Sequence, residues 1–323
     1  MDLIESLKVK VSEKKPTIVF PEGNDRRILE AAVRLSVDNV LKPILIGNGY
    51  DIKEVAKEYG LNISGVEIIY PSEYEEFDYL VEKFVERRKG KVDEESARKI
   101  LLDQNYFGTM LVYTGKADGM VSGAAHTTGE TVRPALQIIK TKEGFSRTSG
   151  LFIMLKRDEM YLMADCAINI DPDADTLAEI AVLSEETART FGMDPRVAML
   201  SFSTKGSASH ELVDKVVEAT EKAKKMNPNM TIDGELQFDA AFVSKVAEKK
   251  APDSKVAGNA NVFIFPSLEA GNIGYKLVQY FGDFKAVGPI LQGLNKPVND
   301  LSRGTTVDEI YALSIITAAQ ALF

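Results

Sequence analysis

Short runs of β-branched and other apolar residues alternate with amphipathic helical patterns almost from one end of the chain to the other, and this rhythm constrains the fold more than any other feature. The runs fall at 17–20, 43–46, 66–70, 119–121, 150–155, 161–164, 197–202, 230–233, 262–266 and 286–291. Most are continuously apolar, as in strands of a parallel sheet covered on both faces. Helical patterns lie between them, for example at 26–35, 176–190, 211–225 and 240–249. The expectation is an α/β fold with mainly parallel sheets. With 323 residues, at roughly 150 per domain, the chain is long enough for about two domains. The polar segment 141–147 (TKEGFSR) precedes two strand patterns joined by a hairpin turn at Arg157-Asp158-Glu159, with no helix between them. That break in the rhythm marks the expected domain boundary.

Composition removes several classes of function. Lys plus Arg number 39 and Asp plus Glu 48, a net charge of −9 that repels nucleic acid and anionic membrane surfaces. A single cysteine, Cys166, excludes an intrachain disulfide and a multi-thiolate zinc or iron–sulfur site. With only His126 and His210, a histidine-rich metal centre is nearly excluded as well. The longest apolar stretches are too short to cross a bilayer. The opening segment MDLIESLKVKVSEKK reads as an amphipathic first helix without a signal-peptide core, so a cytoplasmic location is expected.

The familiar catalytic signatures are missing too. There is no GxxxxGK[ST], no complete GxGxxG after Gly47-Asn48-Gly49, no HExxH after His210-Glu211, and no GxSxG. What remains is chemistry by positioning, by arginines and by backbone N–H groups. Small polar residues follow several strand patterns: 20–25 (FPEGND), Ser122-Gly123 with His126-Thr127-Thr128, and 201–209 (SFSTKGSAS). Such places hold ligands in open α/β sheets, but the same residues are ordinary turn and cap formers, and SFSTKGSAS also reads as the lead-in to a helix beginning near Ser209.

The sharpest segment is 296–310, KPVNDLSRGTTVDEI. Pro297 blocks a helix, Gly304 permits an unusual backbone angle or a close ligand approach, and Ser302 with Arg303 precedes a helix expected at 307–322. A hydroxyl, a guanidinium fork and a helix N-terminus together suit a phosphate or another oxyanion. Thr306 and Glu309 also spell a capping box, so the two readings compete for Glu309. Arg133, just before Pro134, is expected to project from the N-terminal end of a helix. The basic run 87–91 (RRKGK) either binds an anion or complements a helix C-terminus.

Seven ordered motifs give the chain a close resemblance, essentially end to end, to the bacterial phosphate acetyltransferase (phosphotransacetylase) family. They are PEGNDRRILEAA (21–32), HTTGETVRPALQ (126–137), MADCAIN (163–169), SFSTKGSA (201–208), DGELQFDAA (233–241), NVFIFPSLEAGNIGYK (261–276) and PVNDLSRG (297–304). The resemblance implies reversible transfer of an acetyl group between CoA and phosphate. It implies two three-layer α/β domains with a substrate cleft between them, the first formed by 1–140 and 290–323 and the second, inserted, by 141–289. It further implies a homodimer, no tightly bound cofactor or metal, and CoA, acetyl phosphate and phosphate as small-molecule ligands.

By the same resemblance, Ser302 and Arg303 contact CoA and the transferred acyl phosphate. Arg133 and Arg87, or Arg88 in its place, bind CoA or the substrate anion, and Cys166 lies near the site without being the nucleophile. The family's base is an aspartate immediately before the isoleucine that follows DLSRG; here that position is Glu309, with Asp308 beside it as the alternative. The implied mechanism is direct attack of the CoA thiolate on acetyl phosphate. Phosphate butyryltransferase activity is the nearest rival. A decarboxylating dehydrogenase would need nicotinamide and metal sites that the sequence does not display, and a non-catalytic module would not need Ser302-Arg303.

Overall fold

The computed structural model describes residues 3–322, so Met1 and Asp2, at the start of the expected first helix, lie outside the described residues. From the amino end, α1 (Leu3–Lys14) leads to β1 (Thr17–Phe20), α2 (Arg26–Val37), β2 (Lys42–Ile46), α3 (Gly49–Glu58) and β3 (Glu67–Ile69). Three helices follow, α4 (Phe77–Arg88), α5 (Glu94–Ile100) and α6 (Gln104–Tyr113), and then β4 (Gly119–Ser122) and α7 (Thr128–Ile138). The middle of the chain forms β5 (Ser149–Lys156), β6 (Glu159–Ala164), α8 (Ala174–Thr190), β7 (Val197–Leu200), α9 (Glu211–Met226) and β8 (Ile232–Leu236). It continues with α10 (Phe238–Phe242), α11 (Ser244–Lys250), β9 (Val262–Ile264), α12 (Leu268–Phe281) and β10 (Lys285–Gln292). The chain ends in β11 (Val298–Asp300) and α13 (Val307–Gln320).

The described residues form two compact units, one of 3–141 with 294–322 and one of 142–293. The first is built on a five-stranded, all-parallel sheet of order β11-β4-β1-β2-β3. Helices cover both of its faces. A Cβ on Gly119 would meet Thr317 of α13, whereas Gly108 of α6 lies against Met120 and Val19. Successive strand residues point to opposite faces, so α6 and α13 form separate layers. Burial on two sides is why β1 and β4 read as unbroken apolar runs.

The second unit holds a six-stranded sheet of order β10-β5-β6-β9-β7-β8. The β6–β9, β9–β7 and β7–β8 pairs are parallel, and β5 pairs antiparallel with both β6 and β10. The hairpin expected at Arg157–Glu159 joins β5 to β6, with Arg157 at φ 54°.

Three local expectations are corrected. The pattern at 240–249 is interrupted at Val243, whose extended backbone (φ −102°, ψ 111°) separates α10 from α11. Residues 298–300, for which no strand was expected, form β11, because Val298, Asn299 and Asp300 pair in register with Met120, Val121 and Ser122. Arg133 and Pro134 sit inside α7 rather than at its start, because a capping box between Thr127 and Glu130 begins the helix at Thr128.

Candidate active site

The carboxyl ends of the three adjacent parallel strands β1, β4 and β11 converge on one set of loops, the position at which open α/β sheets bind ligands. Glu22, beyond β1 and only 2% exposed, organises them. Its Oε2 accepts the N–H groups of Gly123 and Ala124 at 3.0 and 2.8 Å, and its Oε1 those of Ala125 and His126 at 2.7 and 2.8 Å. The Nδ1 of His126 lies 2.8 Å from the same Oε1. A carboxylate thus fills the nest of N–H groups that the loop after β4 would otherwise offer to a ligand. Gly123 is required there: at φ +112° its Cα lies so close to β11 that a Cβ would stand 2.5 Å from Asp300 Oδ1.

Arg27, in the first turn of α2, fastens the loop after β11 to the loop after β4. Its guanidinium is held by both oxygens of Asp25 and donates to the carbonyls of Arg303 at 2.8 Å, Thr305 at 3.1 Å and Ala124 at 2.8 Å. Asp25 also caps α2 through Arg27 N, and these contacts hold its carboxyl below the usual aspartate value despite burial.

On this frame Ser302–Thr305 forms a turn, Thr305 N donating to Ser302 O at 2.9 Å, with the Ser302 hydroxyl accepting from Gly304 N at 3.3 Å. Ser302 and Arg303 are exposed, and the Arg303 guanidinium has no hydrogen bond or ion pair among the described residues. Of the two uses expected of Gly304, the unusual backbone angle is absent, since it takes no left-handed φ; a Cβ there would meet only Ser302 Oγ, at 3.9 Å.

The capping box of α13 is formed: Glu309 Oε2 accepts Thr306 N at 2.8 Å and its hydroxyl at 3.1 Å, while Glu309 N donates back to Thr306 Oγ1 at 3.3 Å. The Thr305 hydroxyl lies 3.4 Å from the same oxygen. The carboxylate therefore reaches back toward the Ser302–Arg303 turn. Asp308 points elsewhere, to an exposed ion pair with Arg34 of α2 at 2.5 Å.

The basic run at the end of α4 divides its two arginines. Arg87 donates to the last carbonyls of α7, Ile138 O at 2.6 Å and Ile139 O at 3.0 Å, and lies 4.9 Å from the ring centre of Tyr113. It complements a helix C-terminus, that of a neighbouring helix rather than its own. Arg88 has a buried Nε without a partner. Its charge and that of Arg133 both act on the Tyr106 phenol, whose pKa is nevertheless raised by burial. Lys140 at the end of α7 has its pKa pulled down by Arg87, foremost, and by Lys89, Arg88 and Lys91. The first unit thus gathers Arg88, Arg133, Lys140 and their neighbours into one electropositive region.

In the second unit, Cys166 is fully buried in a core with Phe152, Met163 and Phe263. Burial and then the charge of Asp165 push its thiol well above the ordinary value, which leaves it unreactive. The 201–209 loop wraps the buried carboxylate of Glu235, which accepts the Ser203 hydroxyl at 2.9 Å and Gly206 N at 2.8 Å. The helix after it begins at Glu211 and is capped by His210, not Ser209.

Sequence analysis placed Glu22 and Thr128 among the polar residues that follow strand patterns, without giving either a role of its own. Arg27 and Asp300 it did not single out, since Arg27 lies inside a helical pattern and the strand that ends at Asp300 is too short and polar to read as one.

Comparison with known proteins shows the family. The profile of the family described as Phosphate acetyl/butaryl transferase matches residues 2–318. A phosphate acetyltransferase of Bacillus subtilis (strain 168) is 63% identical over 321 residues, 99% of each chain. Among solved structures, a phosphotransacetylase from Streptococcus pyogenes superposes with a TM-score of 0.97 at 58% identity, covering 99% of this chain and 98% of that one. A phosphotransacetylase from Staphylococcus aureus does so at 0.95 with the same identity and coverage. The chain belongs to the phosphate acetyl/butaryl transferase family.

Proposed function

We infer that this enzyme moves an acetyl group reversibly between CoA and inorganic phosphate. The observation that carries the site assignment is the exposed turn after β11. There an unpaired Arg303 guanidinium, the Ser302 hydroxyl and the Glu309 carboxylate stand together at the N-terminus of α13.

In the direction of acetyl-CoA, the CoA sulfur attacks the carbonyl carbon of acetyl phosphate. A free thiol with a pKa of about 8.5 is only a few per cent ionised at neutral pH, so proton removal assists the step. Glu309 takes the thiol proton, Ser302 orients the sulfur, and Arg303 holds the phosphate and stabilises the oxyanion of the tetrahedral intermediate. The new C–S bond forms, the C–O bond to phosphate breaks, and phosphate leaves with the bonding pair. Holding both substrates together supplies much of the rate without a covalent acyl-enzyme.

Arg88 and Arg133 receive phosphate groups of CoA, while Arg87 serves the fold. Cys166 takes no part. The reaction needs no tightly bound cofactor and no metal, CoA being a substrate. The enzyme works in the cytoplasm as a homodimer; no helix among the described residues is long and apolar enough to cross a membrane.

The test is thioester absorbance on mixing the protein with CoA and acetyl phosphate, with butyryl phosphate in parallel. Rapid formation from acetyl phosphate is expected. A signal from butyryl phosphate alone would move the assignment to longer acyl groups, and two flat traces from folded protein would refute acyl transfer.

A further inference from the structure

Asp300, the last residue of β11, is a buried carboxyl with no role in the chemistry above. It is 1% exposed and immediately precedes Leu301, Ser302 and Arg303. Its Oδ2 accepts the Thr128 hydroxyl at 2.6 Å, the short distance of an O–H donating to a charged oxygen. Its Oδ1, lodged against Gly123, has no hydrogen-bond partner, and neither has the buried hydroxyl of Thr131 that faces the same carboxyl. Buried polar atoms are nearly always satisfied, so a pair left open beside a candidate site calls for an explanation.

The surrounding charges do not neutralise it. Glu22, from the loop after β1, faces Asp300 with the same sign and is held by four N–H groups and His126. From β4, Ser122 donates to Asn105. Arg27 is engaged with Asp25 and three carbonyls. In the first turn of α13, Asp308 pairs with Arg34 and Glu309 with the helix cap. Arg133, on α7, is exposed.

We propose that Asp300 is a positioning residue: ionised, it straps the first turns of α7 to the end of β11 and so holds the Ser302–Arg303 turn in place for acyl transfer. Burial, with a smaller push from Glu22, raises its carboxyl to about 6 against the pull of the two threonine hydroxyls. On protonation the charge-assisted bond to Thr128 becomes a neutral one of roughly half the strength. The strap loosens and turnover falls on the acid side.

The inference rests on the acetyl-transfer reading, which wild-type turnover at about pH 8 checks independently. The experiment follows kcat and both KM values between about pH 5 and about pH 9 in wild type, Asp300→Asn and Thr131→Val. Wild type should show an acid limb in kcat near the value at which Asp300 titrates. Asp300→Asn keeps the shape and an acceptor for Thr128 but cannot ionise. It should lose about tenfold in kcat at high pH, with little change in KM, and that limb should vanish. Thr131→Val removes a hydroxyl that favours the charged form, so the limb should move up by about half a unit, a shift that a purely structural role would not cause. Persistence of the limb in Asp300→Asn, or full kcat in that variant, would overturn the proposal. So would an unmoved limb in Thr131→Val, which decides the matter alone if Asp300→Asn does not fold.

Discussion

Arg87 and Arg88 are adjacent and chemically identical, and the family resemblance favours Arg87 as the anion ligand, yet their surroundings assign them opposite duties. Neighbours on a helix point about 100° apart, so the packing of α4 against α7 settles which one turns inward. Arg87 meets the end of α7, where two carbonyls lack helical partners; Arg88 is left with a buried, unpartnered Nε near Arg133 and Tyr106. Replacing Arg88 by Ala should raise the KM for CoA by about 10- to 100-fold, the worth of one charge-assisted contact, while kcat and thermal stability hold. Arg87→Ala should instead cost about 1–3 kcal/mol of stability with a smaller effect on KM. Steady-state kinetics and thermal unfolding of both variants decide it, and the reverse pattern would return ligand binding to Arg87. The basic cluster itself was legible in the sequence, but the division of labour within it was not. It depends on a helix–helix contact between residues some fifty positions apart, which no local pattern encodes.

At the scale of elements, helix starts were legible where their caps were read and misplaced where a proline drew attention instead. Thr306 and Glu309 mark the beginning of α13 correctly. The same spelling at Thr127 and Glu130 begins α7, but Pro134 suggested a later start; a proline in a helix interior removes one hydrogen bond, and the capping box and the buried face of α7 outweigh it here. Strand β11 escaped notice because Val-Asn-Asp is short and polar, and it forms only because β4 provides its ladder.

The cap also frames a test of Glu309. Gln at this position preserves a capping box, so Glu309→Gln should change stability by less than about 1 kcal/mol while lowering turnover about 10²-fold or more, as loss of a general base would. Asp308→Asn should do neither beyond about twofold in rate, since it breaks only an exposed ion pair worth at most about 1 kcal/mol. Loss of stability without loss of rate in Glu309→Gln would leave that residue a cap alone.

For the molecule as a whole, α12 bears on the number of chains that assemble. It sits on its own unit through Gly271, packed against Asp165, and Tyr275, stacked 3.9 Å from Phe152. Ile273, Leu277, Tyr280 and Phe281 stand out from it with exposures of 53, 49, 77 and 88%. Their spacing of four, three and one makes a single apolar stripe, the pattern by which a helix ordinarily meets a core, yet here it meets none among the described residues. Exposed stripes of this kind are common at protein–protein contacts, and in the homodimer proposed above a symmetric pair of such helices is the simplest way for two copies to cover each other. Each large apolar side chain buried there contributes roughly 1.5–3 kcal/mol, and a carboxylate in its place leaves an unpaired charge in the contact. The double substitution Leu277→Glu with Phe281→Glu should therefore convert two-chain particles to single chains at micromolar concentration, as measured by light scattering behind size exclusion. Far-UV circular dichroism should be unchanged, since both side chains are exposed. A wild-type protein that already runs as one chain would refute the homodimer, and a double variant that stays paired would place the contact on another surface.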